Sequence, residues 1–308
     1  MSAHPTLDTL LLRLLARWPE HGDYIDRSFR DRSPDETEVS ERIAMCALRL
    51  AGRIDGGLDA LCDDYRFLCE KIVLPEEMHF RRHGRYRLAS FAEARAECYA
   101  NAPFMARYMN GLMLSNVLWR NHVGAIASYV HDYLPTVAGD LLEIGPGHGL
   151  LLQFAASRAG IRASGWDISP TSIAQTRAIL ADLGLANVAL AEQDLFAADP
   201  DASADRFDAI VMSEILEHLE DPVAALRAAA RWLKPRGTVW VNVPANSPAP
   251  DHIFLVESPE HAQDLVRAAG FEVVSSRAFP MTGASLERAR KQALTISCVV
   301  VGTKDTGG

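Results

Sequence analysis

The sequence has few cysteines, and none are arranged for metal binding or redox chemistry. Its 308 residues include five cysteines, an odd number, with no CxxC pair and no Cys/His cluster at zinc spacing. A disulfide-stapled fold and a zinc finger are therefore excluded. The pattern indicates reduced thiols that are mostly buried.

Long apolar runs and a leader-like N-terminus are also missing. No run approaches the roughly 18 consecutive apolar residues of a membrane span. The first residues reach Asp8 without a basic region followed by an apolar one. We therefore expect no membrane association and no signal peptide, and a cytoplasmic location.

An excess of positive charge is the third absence. The chain carries 31 Lys and Arg against 40 Asp and Glu, a formal net charge of −9. Proteins whose affinity depends on the phosphate backbone ordinarily show a basic excess. DNA and RNA are thus not expected as partners. The hydrophobic share of 48% is that of an ordinary globular protein, and the length suits one large domain or two.

Residues 1–135 show helical periodicity and few strand signals. Leu7, Leu10 and Leu14 fall on one apolar stripe at spacings of three and four. Ser33 and Glu36 have the spacing of a capping box at a helix start. The pattern predicts an all-α domain over 1–135.

The period changes after Gly139, where short β-rich runs begin to alternate with helical stretches. This alternation predicts a second domain over 136–308 with an α/β fold, a doubly wound and mostly parallel seven-stranded sheet. The predicted strands are Asp140–Ile144, Ala163–Asp167, Val188–Glu192, Asp208–Met212, Thr238–Val243, Glu272–Ala278 and Ile296–Gly302.

A glycine-rich turn follows the first predicted strand. Glu143 lies in the strand, and Gly145, Gly147 and Gly149 lead into a helix. Glycine lets the backbone turn tightly and approach a ligand closely. The helix N-terminus behind the turn offers free N–H groups to a carboxylate or phosphate. Dinucleotide enzymes also use such a turn, so it does not identify the ligand by itself.

Acidic residues end the next two predicted strands. Asp167 can accept hydrogen bonds from two ribose hydroxyls, and Asp194 is expected within reach of an adenine amino group. Ligands of such sheets bind outside the carboxyl ends of the strands, where all these residues are expected.

These motifs together resemble the class I S-adenosylmethionine (SAM)-dependent methyltransferases. LLEIGPGHG is similar to their glycine motif, and FDAIVMSEILEHLEDP and LKPRGTVWVNVP to their fourth and fifth strands. The resemblance covers about 139–302 and implies a Rossmann-like sheet with SAM as cofactor. The residues that it assigns to cofactor binding are Glu143, Gly145, Gly147, Asp167, Ile168, Asp194, Leu195 and Ser213. In small-molecule members, a helical addition like 1–135 commonly caps the active site or forms a homodimer surface.

Glu214, Glu217 and His218 leave three interpretations open. Their i, i+3, i+4 spacing places them on one face if the chain is helical there. His218 could be a general base, which makes it a candidate catalytic residue. The three side chains could instead hold a divalent metal, with His252 as a further ligand, or simply pack the helix; no metal is favoured.

The predicted helices at 103–133 carry side chains that could line a substrate pocket. Tyr108, Asn121 and His122 are the candidates, and Tyr108 and Asn121 join His218 as predicted catalytic residues. The competing interpretation is that these side chains pack the helices together.

Three functions remain possible at this point. The first is methyl transfer from SAM to O, N or C of a small molecule, which releases S-adenosylhomocysteine. The second is cyclisation of SAM to azetidine-2-carboxylate and methylthioadenosine, which a sealed cap would favour. The third is SAM or partner binding without catalysis, against which the intact glycine and acidic motifs argue.

Overall fold

The fold is described from a computed structural model, which covers residues 3–197 and 204–305. It contains thirteen α-helices within these ranges. They are Pro5–Arg17 (α1), Gly22–Phe29 (α2), Pro34–Ala51 (α3), Gly57–Phe67 (α4), Leu74–His83 (α5), Phe91–Ala94 (α6), Ala102–Leu118 (α7), Arg120–Ser128 (α8), Leu150–Ala156 (α9), Pro170–Asp182 (α10), Pro222–Trp232 (α11), Pro259–Ala268 (α12) and Leu286–Gln292 (α13).

Seven strands form one sheet in the order β3-β2-β1-β4-β5-β7-β6. The strands are Gly139–Ile144 (β1), Ile161–Asp167 (β2), Ala189–Glu192 (β3), Phe207–Ser213 (β4), Leu233–Ala245 (β5), Phe271–Pro280 (β6) and Ile296–Lys304 (β7). The predicted seven-stranded α/β fold is confirmed, because each β-rich run of the sequence overlaps one of these strands.

The chain divides by its contacts into two compact units. The helical unit contains 1–127 together with two later segments, 246–255 and 279–296. The sheet unit contains 128–245, 256–278 and 297–308. The contact boundary thus falls after Ala127, whereas the sequence predicts a domain boundary after residue 135, and the two later segments had no signal in the pattern. Division into independently folding domains stays a prediction.

The helical unit is built on the predicted apolar stripe and helix cap. Leu10 and Leu14 of α1 are fully buried. Ser33 and Glu36 form a reciprocal capping box at the start of α3, which satisfies two N–H groups that a helix end leaves open. Helix α7 ends at Leu118, and the break falls at Trp119, whose backbone is extended.

The sheet unit has its core on the central strands. Strands β1 and β4 pair in parallel, and β5 continues the parallel register on the far side of β4. Leu142, Ile210 and Val239 lie in neighbouring strands and are fully buried. A strand that is buried on both faces has a nearly continuous apolar sequence, and this pattern allowed these strands to be predicted.

Across residues 3–197 and 204–305, the helices are all too short or too polar to cross a membrane.

Candidate functional site

The sheet reverses its winding between β1 and β4. From β1 the chain proceeds to β2 and β3 on one side, and from β4 to β5 on the other. In an open parallel sheet the crevice outside the strand ends at this reversal is where ligands bind. The residues that follow Ile144 and Met212 therefore border the candidate site of the sheet unit.

The glycine turn begins directly at the end of β1. Gly145 donates its N–H to the carbonyl of Trp166 in β2 at 2.7 Å. Gly149 donates its N–H to Pro146 O at 2.7 Å, which closes the turn. All three glycines have positive φ, between 52° and 74°, a conformation that other residues adopt only with strain. Thr176 of α10 donates to Gly147 O at 2.6 Å and so fixes the tip of the turn.

Asp167 ends β2 with its carboxylate partly hydrogen-bonded. One oxygen accepts the N–H of Ser169 at 2.8 Å, and the other accepts the hydroxyl of Ser172 at 2.6 Å. A carboxylate can accept about four hydrogen bonds. Asp167 thus orients the start of α10 and keeps capacity for two further donors.

Two apolar side chains beside this carboxylate are exposed. Ile168 is 58% exposed and Phe196 is 57% exposed, although both are large and apolar. The two strand ends are joined, because the N–H of Gln193 donates to Asp167 O at 2.9 Å. Asp194 follows Gln193 and accepts the N–H of Phe196 at 2.8 Å, while Leu195 is half-buried. Exposed apolar groups next to polar acceptors suit a flat heteroaromatic ligand.

Glu143 is a buried residue of β1. It is 3% exposed. Burial raises the pKa of its carboxyl well above the usual range; a hydrogen bond from the Leu152 N–H, in the first turn of α9, acts in the opposite direction. The carboxyl thus stands under the glycine turn and is placed to hold the turn against α9.

His148, in the middle of the turn, is also buried. Burial lowers the pKa of its imidazole to about 4, so the ring is neutral at pH 7. A neutral ring offers a cofactor carboxylate a hydrogen-bond donor but no ion pair.

Asn242 at the end of β5 fixes the residues that follow β4. Its Nδ2 donates to Glu214 Oε1 at 2.8 Å and lies 3.2 Å from the hydroxyl oxygen of Ser213. The N–H of Glu214 donates to Asn242 O at 2.8 Å. Glu214 has a φ of 54°, and a strained backbone of this kind persists only where its surroundings enforce it.

The chain is not α-helical from Glu214 to His218, so the condition under which Glu214, Glu217 and His218 would share one helix face is not met. Only Leu216–His218 makes a single 3-10 turn, because the left-handed backbone of Glu214 interrupts any helix that would include it. Burial raises the pKa of Glu214 to about 7, and hydrogen bonds to Glu217 and Asn242 act in the opposite direction. His218 Nε2 lies 3.8 Å from Glu217 Oε1, a carboxylate with no exposed surface.

The other two predicted catalytic residues belong to the helical unit. Tyr108 is 4% exposed and donates its hydroxyl to Asp251 at 3.0 Å. Asn121 is buried at 3% exposure. His122 lies 3.3 Å from the Ser115 hydroxyl, and burial lowers its pKa to about 4. Contact of Tyr108 or Asn121 with a substrate stays a prediction.

Asn242 is the site residue that sequence reasoning missed. It stands inside the fifth-strand motif, at a position two residues after the fully buried Trp240. The sequence did contain a signal for Asn242. It is a polar residue near the carboxyl end of a buried strand, and the neighbouring strand β4 is followed by Glu214.

A comparison with protein families decides the identity of this fold. A family model described as "Methyltransferase domain" matches residues 118–279, more than half of the chain. The chain belongs to this family. Together with the sheet order and the glycine turn, the match confirms the predicted class I SAM-dependent methyltransferase family.

Curated relatives match less than half of this methyltransferase. A ubiquinone biosynthesis O-methyltransferase of Xanthomonas campestris pv. campestris (strain B100) is 32% identical over 123 residues, 39% of this chain and 49% of that protein. One of the same name from Alkalilimnicola ehrlichii (strain ATCC BAA-1101 / DSM 17681 / MLHE-1) is 30% identical over 142 residues, 44% of this chain and 55% of that protein. The chain spans about half the length of these relatives.

A solved structure extends the likeness in fold. The S-adenosylmethionine-dependent methyltransferase SibL, in its apo form, superposes with a TM-score of 0.54 over 82% of this chain and 75% of its own. Its sequence identity is 16%, so the similarity is one of fold.

Proposed function

We propose that this methyltransferase moves a methyl group from SAM to an oxygen of a small-molecule acceptor and releases S-adenosylhomocysteine. The observation that carries the proposal is the arrangement at the strand ends of the sheet unit. The glycine turn, Asp167 and the exposed Ile168 border one end of the crevice, and Glu214 and His218 follow β4. The names of the curated O-methyltransferases favour oxygen as the acceptor atom.

The residues present fit the proposed cofactor. Asp167 keeps acceptor capacity for two ribose hydroxyls, and Ile168, Leu195 and Phe196 offer apolar surface to an adenine ring beside Asp194. We assign the methionine carboxylate to the N–H of Gly147, because the Gly145 N–H already donates to Trp166 O and the Leu152 N–H of α9 donates to Glu143. Ser213 borders the same crevice from β4, and we assign Glu143 the support of the turn rather than direct contact.

The reaction requires alignment of the acceptor oxygen with the methyl group and removal of one proton from the acceptor hydroxyl. When bound, SAM supplies a methyl group on a sulfonium; the carbon–sulfur bond breaks toward sulfur as the acceptor oxygen bonds the methyl carbon. The fixed turn and strand ends align the reactants, which can lower the barrier by as much as ~7–11 kcal/mol. We assign the acceptor's hydroxyl proton to His218 Nε2, which lies 3.8 Å from the Glu217 carboxylate.

Calorimetry with S-adenosylhomocysteine tests cofactor binding. The wild-type protein is expected to bind, and Asp167→Ala to bind at least tenfold more weakly, since a hydrogen bond to a charged group contributes about 1.5–3 kcal/mol. Glu192→Ala, an exposed acid of β3, is the control. Absence of heat with the wild-type protein would refute the proposal.

Product analysis tests the reaction. Incubation with SAM and a panel of catechols, phenols, amines and enolisable ketones is expected to give S-adenosylhomocysteine with a hydroxyl acceptor. His218→Gln is expected to lower kcat by roughly 10²–10⁴-fold. Methylthioadenosine formed from SAM alone would instead indicate cyclisation, and an amine or carbon product would reject the oxygen acceptor.

A further inference from the structure

Three buried polar atoms lie on one face of the sheet unit without a protein partner. They are Tyr129 Oη, Glu143 Oε2 and Trp240 Nε1, none of which has a hydrogen-bond partner within residues 3–197 and 204–305. Buried polar atoms are almost always hydrogen-bonded in native proteins, so a set of three on one surface needs an explanation.

The strand register places two of these residues side by side. Glu143 of β1 pairs with Val211 of β4, and Val211 pairs with Trp240 of β5. Residues in register point to the same face, and two strand spacings of about 4.8 Å separate Glu143 from Trp240. Val211, an apolar residue, lies between Glu143 and Trp240 on this face and offers no hydrogen-bond partner to either side chain.

Tyr129 packs over this face from the π-helical segment Tyr129–Tyr133. Its ring centroid lies 5.0 Å from that of Trp240. One turn further on, the hydroxyl groups of Tyr133 and Thr238 are 2.9 Å apart, which fixes the segment on the same face. Burial and then the charge of Glu143 raise the pKa of Tyr129 well above its usual value, so the phenol keeps its proton and the two groups are electrostatic neighbours.

Few other titratable groups face this carboxyl. Asp167 of β2 raises the pKa of Glu143 further. His148, in the turn above, is neutral at pH 7. Helix α9 has no titratable residue, and β4 and β5 present Val211 and Trp240. Tyr129 is thus a hydroxyl donor available to Glu143 on this face.

We propose that Tyr129 is a positioning residue for the glycine turn, acting through one buried water molecule bound by Tyr129 Oη, Glu143 Oε2 and Trp240 Nε1. Three polar partners are the usual number for a buried water. The second oxygen of Glu143 accepts the N–H of Leu152 in α9. The water thereby fixes the carboxyl that holds α9 and the turn in place. The effect on ligand binding rests on the proposed function, because that turn is where we place the cofactor.

Two phenylalanine variants test this role against a merely structural one. Tyr129→Phe removes the unpartnered hydroxyl, and Tyr133→Phe removes a hydroxyl that already has Thr238 as partner, on the same segment and face. We expect Tyr129→Phe to weaken S-adenosylhomocysteine binding about tenfold, and Tyr133→Phe to change it less than about twofold. The effect of Tyr129→Phe is expected to vanish in a Glu143→Gln background.

The infrared carbonyl band of the Glu143 carboxyl provides a readout without a ligand. The band is assigned by its loss in Glu143→Gln, and it is expected to shift in Tyr129→Phe and to stay in place in Tyr133→Phe. Equal shifts in both phenylalanine variants, or a binding loss in Tyr129→Phe that adds to that of Glu143→Gln, would overturn the proposal. If the wild-type protein binds no S-adenosylhomocysteine, the proposed function fails, while the band still decides whether Tyr129 and Glu143 are connected.

Discussion

Asn242 Nδ2 lies 2.8 Å from Glu214 Oε1, and the Glu214 N–H returns a hydrogen bond to Asn242 O at the same distance. This double link joins the carboxyl ends of β4 and β5 beside the crevice. It also explains how a residue other than glycine is kept at a φ of 54°.

The link predicts a stability loss when the Asn242 side chain is removed. Asn242→Ala removes one of the two side-chain hydrogen bonds of the Glu214 carboxyl, so the free energy of unfolding should fall by about 1–3 kcal/mol. Ser213→Ala, which removes only the contact at 3.2 Å, should cost less. Urea unfolding at pH 7 measures both, and equal losses would contradict the assigned role.

The raised pKa of Glu214 predicts a pH dependence of stability. With a pKa of about 7 in the folded protein and about 4.3 when unfolded, the folded state binds more protons between these values. Stability therefore falls as pH rises from about 4 to about 7 and levels off above. Glu214→Gln, which mimics the protonated form, should flatten this pH dependence. In the wild type, the fall in unfolding free energy over this range should be on the order of 2–3 kcal/mol.

Urea unfolding at pH 5, 6, 7 and 8 measures the difference. Glu220→Gln, an exposed neighbour, should follow the wild-type curve. Parallel curves for Glu214→Gln and the wild type would show that Glu214 titrates normally.

The exposure of Ile168 predicts a loss of binding without a loss of stability. Ile168→Ser removes apolar surface that is 58% exposed, so the unfolding free energy should change by less than about 0.5 kcal/mol. If the side chain packs against adenine, S-adenosylhomocysteine should bind about 5- to 20-fold more weakly. Val274→Ser, at 54% exposure on β6, is the matched control in calorimetry and should bind as the wild type does.

The glycine turn predicts an order of tolerance to alanine. A Cβ on Gly145 would come 2.1 Å from Ile215 Cδ1, whereas one on Gly147 would meet nothing within 4 Å. Both changes strain a left-handed backbone by roughly 1–2 kcal/mol, and Gly145→Ala should cost more. Ile215→Val in the Gly145→Ala background should recover part of that loss in thermal unfolding, and no recovery would argue against the steric cause.

The features of the fold and the site that the sequence predicts are those set by residues close together in the chain. The strands, the glycine turn and the α3 cap are specified by neighbouring residues, and the pattern predicted them. The conformation of Glu214 is set by Asn242, 28 positions away, so the local spacing left open a helix there that does not form. Tyr108 similarly finds its partner in Asp251, 143 positions away, and spacing alone could not distinguish that bond from a substrate contact.

The distribution of the chain between its two units has a practical consequence for dissection. The chain passes from one unit to the other after residues 127, 245, 255, 278 and 296. A fragment of 1–127 would leave Tyr108 without Asp251 and Tyr24 without Thr282. Severing this protein at any one peptide bond would therefore divide at least one of the two units, and isolating the helical unit needs grafted segments rather than simple truncation.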